Sequence, residues 1–131
     1  MATKARTIPS VPPSPDTKPF WEATAQGKLL LKKCRACGQL HYYPRPLCPF
    51  CGSDATEWQA AAGGGVIYSY SVMRRAEVPY AVAYVTLDEG PTMMTNLVDC
   101  DFDRLKIGQR VRVVFSPTDG GAPVPTFTTV P

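Results

Sequence analysis

The chain of 131 residues has little of what a free-standing enzyme or a membrane protein needs. It contains one histidine, His41, so no second imidazole is present to act as a base or as a metal ligand. It has no glycine-rich phosphate-binding loop ending in Lys and Ser or Thr, and no HExxH motif of zinc proteases. No apolar run approaches the roughly 20 residues of a membrane span. We therefore expect a protein that does not enter a membrane and is not catalytic alone.

The first 15 residues lack the apolar segment and the small-residue cleavage site of a secretory signal. This predicts a cytoplasmic protein, whose thiols stay reduced. Excess charge is also scarce. The formal net charge is +3, and it falls to about +1 when four thiolates and a divalent metal ion are counted. A charge this small disfavours nucleic acid as a partner.

The cysteines are clustered. Four of the five lie within 18 residues, as two Cys-x-x-Cys pairs with ten residues between the pairs. In a reduced compartment such spacing is typical of a tetrahedral metal site with bonds of about 2.3 Å to sulfur. Gly38 and Gly52 each follow the second cysteine of a pair, where a positive φ lets backbone N–H groups approach the sulfurs. The predicted thiolate ligands are Cys34, Cys37, Cys48 and Cys51.

The predicted metal site is closed, because protein sulfur fills all four positions and none is left for substrate. The ion is therefore expected to be structural. Zinc is favoured, since nothing in the sequence requires redox chemistry, although a rubredoxin-like iron site would use the same ligands. Two disulfides or four buried free thiols are the alternatives, and both fit the spacing and the compartment less well.

Three regions follow from composition. Residues 1–15 are rich in Pro, Ser and Thr and are expected to form a flexible arm. Residues 16–61 are expected to hold a short helix and the zinc ribbon. Residues 62–131 are expected to form a barrel.

The helix is predicted from its end signals. Asp16 or Thr17 can cap its start, Pro19 suits the first turn, and Gly27 can end it. Phe20 and Trp21 supply apolar side chains that must dock on another element, because an isolated helix this short is unstable. The stretch from Lys28 to Cys34 then reads as a strand that leads into the first cysteine pair.

Beyond a glycine turn at residues 63–65, the sequence predicts five short strands. They are Val66 to Met73, Tyr80 to Leu87, Thr92 to Val98, Arg110 to Phe115 and Val124 to Val130. In the first, alternation places Val66, Tyr68, Tyr70 and Val72 on one face. Five strands of this length favour a closed barrel of the OB-fold type, with a small sandwich or an SH3-like barrel as alternatives. The fold class is thus mainly β.

Few other residues predict chemistry. His41 is expected to be a packing or surface residue, and Cys100 an inert packed thiol. Asp99, Asp101 and Asp103 favour capping of a helical turn over cation binding. Arg74 and Arg75 follow the first barrel strand, where they could hold a phosphate or a partner carboxylate.

The order of these features resembles the small zinc-ribbon and OB-fold proteins that accompany thiolase-like and acyl-CoA-processing enzymes. The resemblance covers about residues 17–116. It rests on Phe20-Trp21-Glu22 with Gly27-Lys28-Leu29, the four cysteines, residues 65–71, Pro79-Tyr80, Leu87 with Glu89-Gly90, Ile107-Gly108 and residues 111–115.

The resemblance implies a non-catalytic subunit of a thiolase, aldolase, hydratase or acyltransferase complex. It implies that the ribbon and the helix, with Phe20 and Trp21, contact the partner. It also implies that the barrel helps form or cover the route of a CoA thioester or acyl chain. Tyr68 and Tyr70, with Tyr80 and Tyr84, could then face the ligand, although core packing is the default for such rings.

Two other hypotheses remain. Zinc ribbons and OB-folds also occur in modules that bind single-stranded nucleic acid, and Lys32, Lys33 and Arg35 with Tyr42 and Tyr43 would make the best patch. A free-standing enzyme using Cys100 is the third. It would require turnover by the lone chain that is lost in Cys100→Ala.

Overall fold

The computed structural model describes residues 6–130, which form one short helix and eight strands. Helix α1 spans Lys18–Ala25. The strands are β1 Leu30–Cys34, β2 Leu40–His41, β3 Thr56–Ala60, β4 Gly64–Met73, β5 Tyr80–Leu87, β6 Thr92–Leu97, β7 Arg110–Ser116 and β8 Val124–Thr129. A single 3-10 turn, Phe102–Arg104, lies between β6 and β7. No helix among the described residues is long and apolar enough to cross a membrane.

The helix begins and ends where its signals predict. Thr17 occupies the N-cap position and Pro19 the first turn. The Thr17 hydroxyl bonds to Ser14 and not to a helix N–H, so the predicted side-chain cap is wrong. Gly27 ends the helix with φ 76°, and the Lys28 N–H returns to the Ala23 carbonyl. A left-handed residue at this position is what glycine permits.

A three-stranded antiparallel sheet carries the cysteines, in the order β2-β1-β3. Lys32 in the central strand lies opposite His41 on one side and Trp58 on the other. β1 therefore ends at Cys34 with a neighbour on each side, which fixes the start of the first cysteine pair. Neither β2 nor β3 is among the predicted strands.

The remaining five strands close into a barrel in the order β4-β5-β6-β8-β7. All neighbours are antiparallel except β6 and β8, which pair in parallel at Leu97 and Phe127. This order and this one parallel pair are those of an OB-fold, so the predicted fold class is confirmed. Closure leaves no open edge in this sheet.

One apolar core runs through both sheets. Phe20 of α1 and Leu31 of β1 belong to the same buried cluster as Ile67, Val85 and Phe127 of the barrel. All five side chains are at most 1% exposed. The helix thus packs on β1 and shares the core that continues into the barrel, and such packing stabilises a helix that is too short to be stable alone.

β4 differs from its prediction in two ways. It begins at Gly64, within the predicted glycine turn. A Cβ on Gly65 would come within 2.7 Å of the Thr86 carbonyl oxygen, so this residue allows close strand packing. The pairing register also shifts between Ile67 and Ser69, which leaves Tyr68 as the extra residue of a β-bulge.

The bulge changes which side chains share a face. Val66 and Tyr68 lie outside, whereas Tyr70 and Val72 pair with the buried Ala83 and Ala81. The prediction that Val66, Tyr68, Tyr70 and Val72 share a face is therefore wrong. Alternation in the sequence cannot reveal an inserted residue, because it assumes a constant period of two.

The described part of the predicted arm lies against the barrel. The Asp119 N–H donates to the Ile8 carbonyl at 2.8 Å, and Pro9 forms a bridge with Asp119. Residues 1–5, which belong to the same predicted arm, lie outside the described residues. The flexibility of residues 1–15 stays a prediction.

Candidate metal centre

The two cysteine pairs fold into the same local structure. The Gly38 N–H donates to the Cys34 carbonyl at 2.8 Å, and the Gly52 N–H to the Cys48 carbonyl at 2.9 Å. Both glycines have φ 79°, as the sequence predicts. A Cβ on either would meet nothing within 4 Å, so the backbone conformation alone demands glycine at these positions.

The four sulfurs converge. All lie within 4.8 Å of one another, and the two contacts between the pairs are 3.6 Å for Cys34 with Cys51 and 3.7 Å for Cys37 with Cys48. A tetrahedral ion with metal–sulfur bonds of about 2.3 Å requires sulfur–sulfur distances of about 3.8 Å. The donor set therefore fits zinc, and equally fits iron.

None of these cysteines is joined in a disulfide. Each sulfur–sulfur contact is far longer than a covalent bond of about 2.05 Å. Cys34 and Cys48 are buried, whereas Cys37 and Cys51 are exposed. One side of the site thus faces the core and the other the surface.

Backbone donors favour the thiolate at the two buried sulfurs. The Cys37 N–H donates to Cys34 Sγ at 3.4 Å and is the main reason that the pKa of Cys34 falls to about 6. At Cys48, burial raises the pKa, but N–H groups of Cys51 and Phe50 outweigh it and the net pKa is lowered. Such donors prepare cysteines to bind a cation, because the thiolate is the ligand form.

The exposed pair behaves differently. N–H groups of Gln39 and Ser53 lower the pKa values of Cys37 and Cys51, respectively, but burial and the neighbouring sulfurs prevail and the net pKa values rise. Four thiols this close cannot all ionise without a countercharge. A bound dication supplies that charge, so the group fits a metal better than it fits free thiols.

Among residues 6–130, these four cysteines are the only cluster of three or more potential ligands. Asp99, Asp101 and Asp103 form no such cluster. Asp101 instead accepts the Asp103 N–H at 2.9 Å and caps the 3-10 turn, as predicted. A metal ion bound by these four sulfurs would have no position left for substrate.

Helix α1 packs against the ribbon through two aromatic side chains. Phe20 is fully buried, and Trp21 is 6% exposed. The Trp21 indole N–H donates to the Tyr43 hydroxyl at 2.9 Å, and Phe20 contacts the Tyr43 ring at 5.4 Å between centroids. Partner contact by Phe20 and Trp21 stays a prediction, because in this conformation both rings face the core.

Two family models match consecutive parts of the chain. A family model described as the ChsH2 rubredoxin-like zinc ribbon domain matches residues 21–57, and one described as the ChsH2 C-terminal OB-fold domain matches residues 58–116. A solved chain described as "Ltp2-ChsH2(DUF35) aldolase" is 36% identical with a TM-score of 0.78. That match covers 89% of this chain and 96% of the other. This chain belongs to the ChsH2/DUF35 family.

Two curated relatives extend the comparison. A "Probable enoyl-CoA hydratase alpha subunit" of Thermomonospora curvata is 40% identical over 82% of this chain, which spans only 36% of that relative's length. A "DUF35 domain-containing scaffold protein" of Methanothermobacter thermautotrophicus is 38% identical, over 63% of this chain and 68% of the relative. The relatives thus include proteins named as scaffolds and proteins named as enzyme subunits.

In this ChsH2/DUF35 chain, the other predicted contact residues are spread over the barrel. Tyr68 is 65% exposed, while the Tyr70 hydroxyl donates to the Leu105 carbonyl at 2.9 Å. Arg74 pairs with Asp103 at 2.8 Å. Arg75 is exposed and forms no hydrogen bond or ion pair with another residue in the range 6–130. The structure therefore does not gather these residues into one site.

His41 and Cys100 are both packed, as predicted. His41 is 4% exposed, and its Nε2 accepts the Arg45 N–H at 3.2 Å. Burial lowers the pKa of His41, and the positive charges of Arg45 and Lys32 add to this. Burial also raises the pKa of Cys100, helped by Asp99 and Asp101, which disfavours the nucleophilic thiolate.

One feature was missed by sequence reasoning. Leu47 and Phe50 flank Cys48 and are 53% and 59% exposed, and Tyr43 is 37% exposed. All three lie between Leu40 and Cys51, and we call this set of exposed side chains the ribbon patch. The signal for it was present, because the tip of a Cys-x-x-Cys turn points away from the metal, and Phe50 occupies that tip.

Proposed function

We propose that this chain is a non-catalytic accessory subunit that binds an acyl-CoA-processing enzyme, such as a thiolase-like one. It would support the assembly and stability of that enzyme and its binding of acyl or CoA substrate. We place it in the cytoplasm. The central observation is the closed four-sulfur centre, which can hold a lobe together but cannot bind substrate.

The relatives support this role without establishing it. Their printed names include a scaffold protein, a hydratase alpha subunit and an aldolase. The hydratase is named as an alpha subunit, which implies at least one further subunit. The aldolase is named together with a second protein, Ltp2. The shared feature is this pair of domains, which suits a subunit that docks.

We place the docking surface on the ribbon patch. Tyr43, Leu47 and Phe50 are apolar side chains exposed beside a turn that the metal makes rigid. Exposed apolar groups held by a rigid element lose little conformational entropy when a partner covers them. Among the described residues the barrel offers no comparable metal-fixed element.

The proposed metal is zinc. Elemental analysis of the purified chain should give one zinc per chain and a colourless protein, because zinc has no d–d transitions. A stoichiometric iron content with visible thiolate–iron absorption would replace zinc with iron. It would leave the structural role unchanged, because both ions use the same four sulfurs.

Affinity purification of the tagged full-length chain from its native host tests the function. We expect it to retain a CoA-thioester enzyme whose activity or solubility falls when the chain is omitted. The matched control is the Cys34→Ser/Cys37→Ser variant, which should lose the enzyme. A stable monomer that changes no such enzyme's activity, solubility or CoA affinity would contradict the proposal.

The nucleic-acid alternative has weaker support. Lys32 Nζ lies 4.2 Å from the Trp58 ring centroid, and the Tyr42 ring packs against Phe20 and Tyr43. Part of the predicted nucleic-acid patch is therefore engaged in contacts within the protein. Retention of single-stranded DNA or RNA at near-physiological salt, weakened by added salt, would favour that alternative.

A further inference from the structure

A groove of about 410 Å³ lies between the N-terminal arm and the open end of the barrel. Its volume is within the range of small-molecule sites, roughly 300–1,000 Å³. Most of its wall is apolar. The apolar lining includes Ile8 of the arm and Val78, Tyr80, Leu97, Val98 and Phe102 of the barrel.

Among the described residues that line the groove, Arg6 is the one cation, and other residues hold it in place. Its guanidinium lies 3.9 Å from the Tyr80 ring centroid, and its Nη1 donates to Asn96 Oδ1 at 3.1 Å. Asn96 is oriented in turn, because its Nδ2 donates to the Ala81 carbonyl at 3.0 Å. A guanidinium has five N–H donors, so most of those on Arg6 remain available to an anion.

The N-terminal arm passes close to the loop between β7 and β8, and this contact positions it. A Cβ on Gly121 would lie 2.5 Å from Ser10 Cβ, so the arm can pass here only because residue 121 is glycine. Two residues before Ser10 and Gly121, the Ile8 carbonyl accepts the Asp119 N–H. The loop between β7 and β8 therefore sets where Arg6 and Ile8 stand over the barrel.

The charge of the lining limits the ligand. Asp99 also lines the groove, so the wall holds one residue of each sign. A polyanion would meet only one cation and one repelling carboxylate. An apolar chain with a single anionic group matches the lining better, because its chain can cover the apolar wall while its charge meets Arg6.

We infer that the arm and the barrel together form a binding groove for an apolar chain bearing one anionic group, with Arg6 as the anion contact. Gly121 keeps the arm in place as one wall. The groove goes beyond the proposed function and does not depend on it.

Titration of the full-length chain with decanoate tests the groove. Amide NMR should show shifts concentrated at Val98, Phe102 and Ile8. Decyltrimethylammonium has the same chain and the opposite charge, and it should bind more weakly. Arg6→Gln should lower decanoate affinity at least about fivefold, since a charged hydrogen bond is lost, and should raise the affinity for the cationic ligand, since a repelling charge is removed.

Gly121→Ala tests the arm. It should lower decanoate affinity about tenfold, because the added methyl group and the Ser10 side chain cannot both occupy the present positions. Adding Ser10→Gly removes the clashing Cβ and should restore affinity, while Ser10→Gly alone should bind like the wild type. This rescue distinguishes displacement of the arm from general unfolding.

The inference is overturned if decanoate shifts residues elsewhere, or if the two ligands bind equally well. It is also overturned if Gly121→Ala binds decanoate like the wild type, or if Ser10→Gly fails to rescue it. These results leave the purification test of the subunit role untouched. Conversely, a chain that retains no enzyme but binds decanoate as described refutes the role and keeps the groove.

Discussion

The ribbon and the barrel are stabilised in different ways. The ribbon sheet has strands of five, two and five residues, and its two cysteine turns lie at the surface. The barrel has five strands of six to ten residues that close around a buried core. A lobe as small as the ribbon cannot bury enough apolar area alone, so metal bonds must replace it.

The two lobes differ in how they are stabilised, but they are not structurally separate. Phe20 and Leu31 belong to the same core as the barrel residues, so part of the ribbon is held by ordinary packing. In the two cysteine turns only Cys34 and Cys48 are buried, so we expect these turns to depend most on a bound ion. The metal therefore acts on the end of the ribbon that carries Leu47 and Phe50.

Metal removal should give the largest effect. Structural zinc contributes about 10–16 kcal/mol in zinc-finger peptides, so chelation or Cys48→Ser should unfold residues 34–56. Hydrogen exchange should show lost protection there and retained protection in β4 to β8.

Cys100→Ser is the matched control for the metal site. Cys100 is a half-buried thiol outside the cluster, so its replacement should leave metal content unchanged. Simultaneous loss of protection in the barrel on chelation would show that the two lobes do not differ as described.

A cavity in the barrel should give the next largest effect. Phe127 is fully buried where β6 meets β8, and Phe127→Ala should cost about 3–5 kcal/mol of unfolding free energy. Urea denaturation measures it. Tyr84→Ala, at a side chain 46% exposed, should cost much less. Equal costs for the two would contradict the assigned core.

The contact between helix and ribbon should give a smaller effect. Tyr43→Phe loses the 2.9 Å hydrogen bond from the Trp21 indole, which is worth about 1 kcal/mol. Trp21→Phe loses the same bond and part of a buried ring, so it should cost more, and the double variant should cost little more than Trp21→Phe alone. Full additivity in the cycle would mean that the two groups are not coupled.

The smallest effect should come from the exposed pair of Asp88 and Arg110, with contacts of 2.7 and 3.1 Å. The hydrogen bond and charge of Arg110 hold the pKa of Asp88 below its ordinary value. A lowered folded pKa stabilises the protein above the unfolded pKa, and the benefit is lost as pH falls through the folded value.

The stability difference between wild type and Asp88→Asn should thus be present at neutral pH and shrink in acid. High salt should also shrink it, because the pair is exposed. Asp54→Asn, at an exposed carboxylate on the ribbon, is the control and should show neither trend. A difference that grows toward low pH would reverse the assigned sign.

Much of this architecture was predictable because its signals are local. The paired Cys-x-x-Cys-Gly segments specify their own turns, and the helix is bounded by Thr17 and Gly27. Six of the eight strands lie close to their predicted positions. Gly90, with φ 118°, forms the predicted hairpin between β5 and β6.

The features that the sequence did not predict depend on contacts between residues far apart in the chain. Thr56–Ala60 is a strand because β1 lies beside it, and its own burial does not alternate. The bulge at Tyr68 is visible only against β5. The approach of Ser10 to Gly121 joins residues more than a hundred positions apart. No local pattern encodes contacts of this kind.

We expect the metal-fixed ribbon, and not the barrel, to contact the partner enzyme. Binding to the copurified enzyme should be measured by calorimetry for Phe50→Asp and for Ile107→Asp, two exposed apolar residues on different lobes, 59% and 71% exposed. We predict that Phe50→Asp lowers affinity at least about tenfold, as expected for an interface anchor, and that Ile107→Asp has no effect. Loss of binding in Ile107→Asp, with Phe50→Asp unaffected, would contradict it.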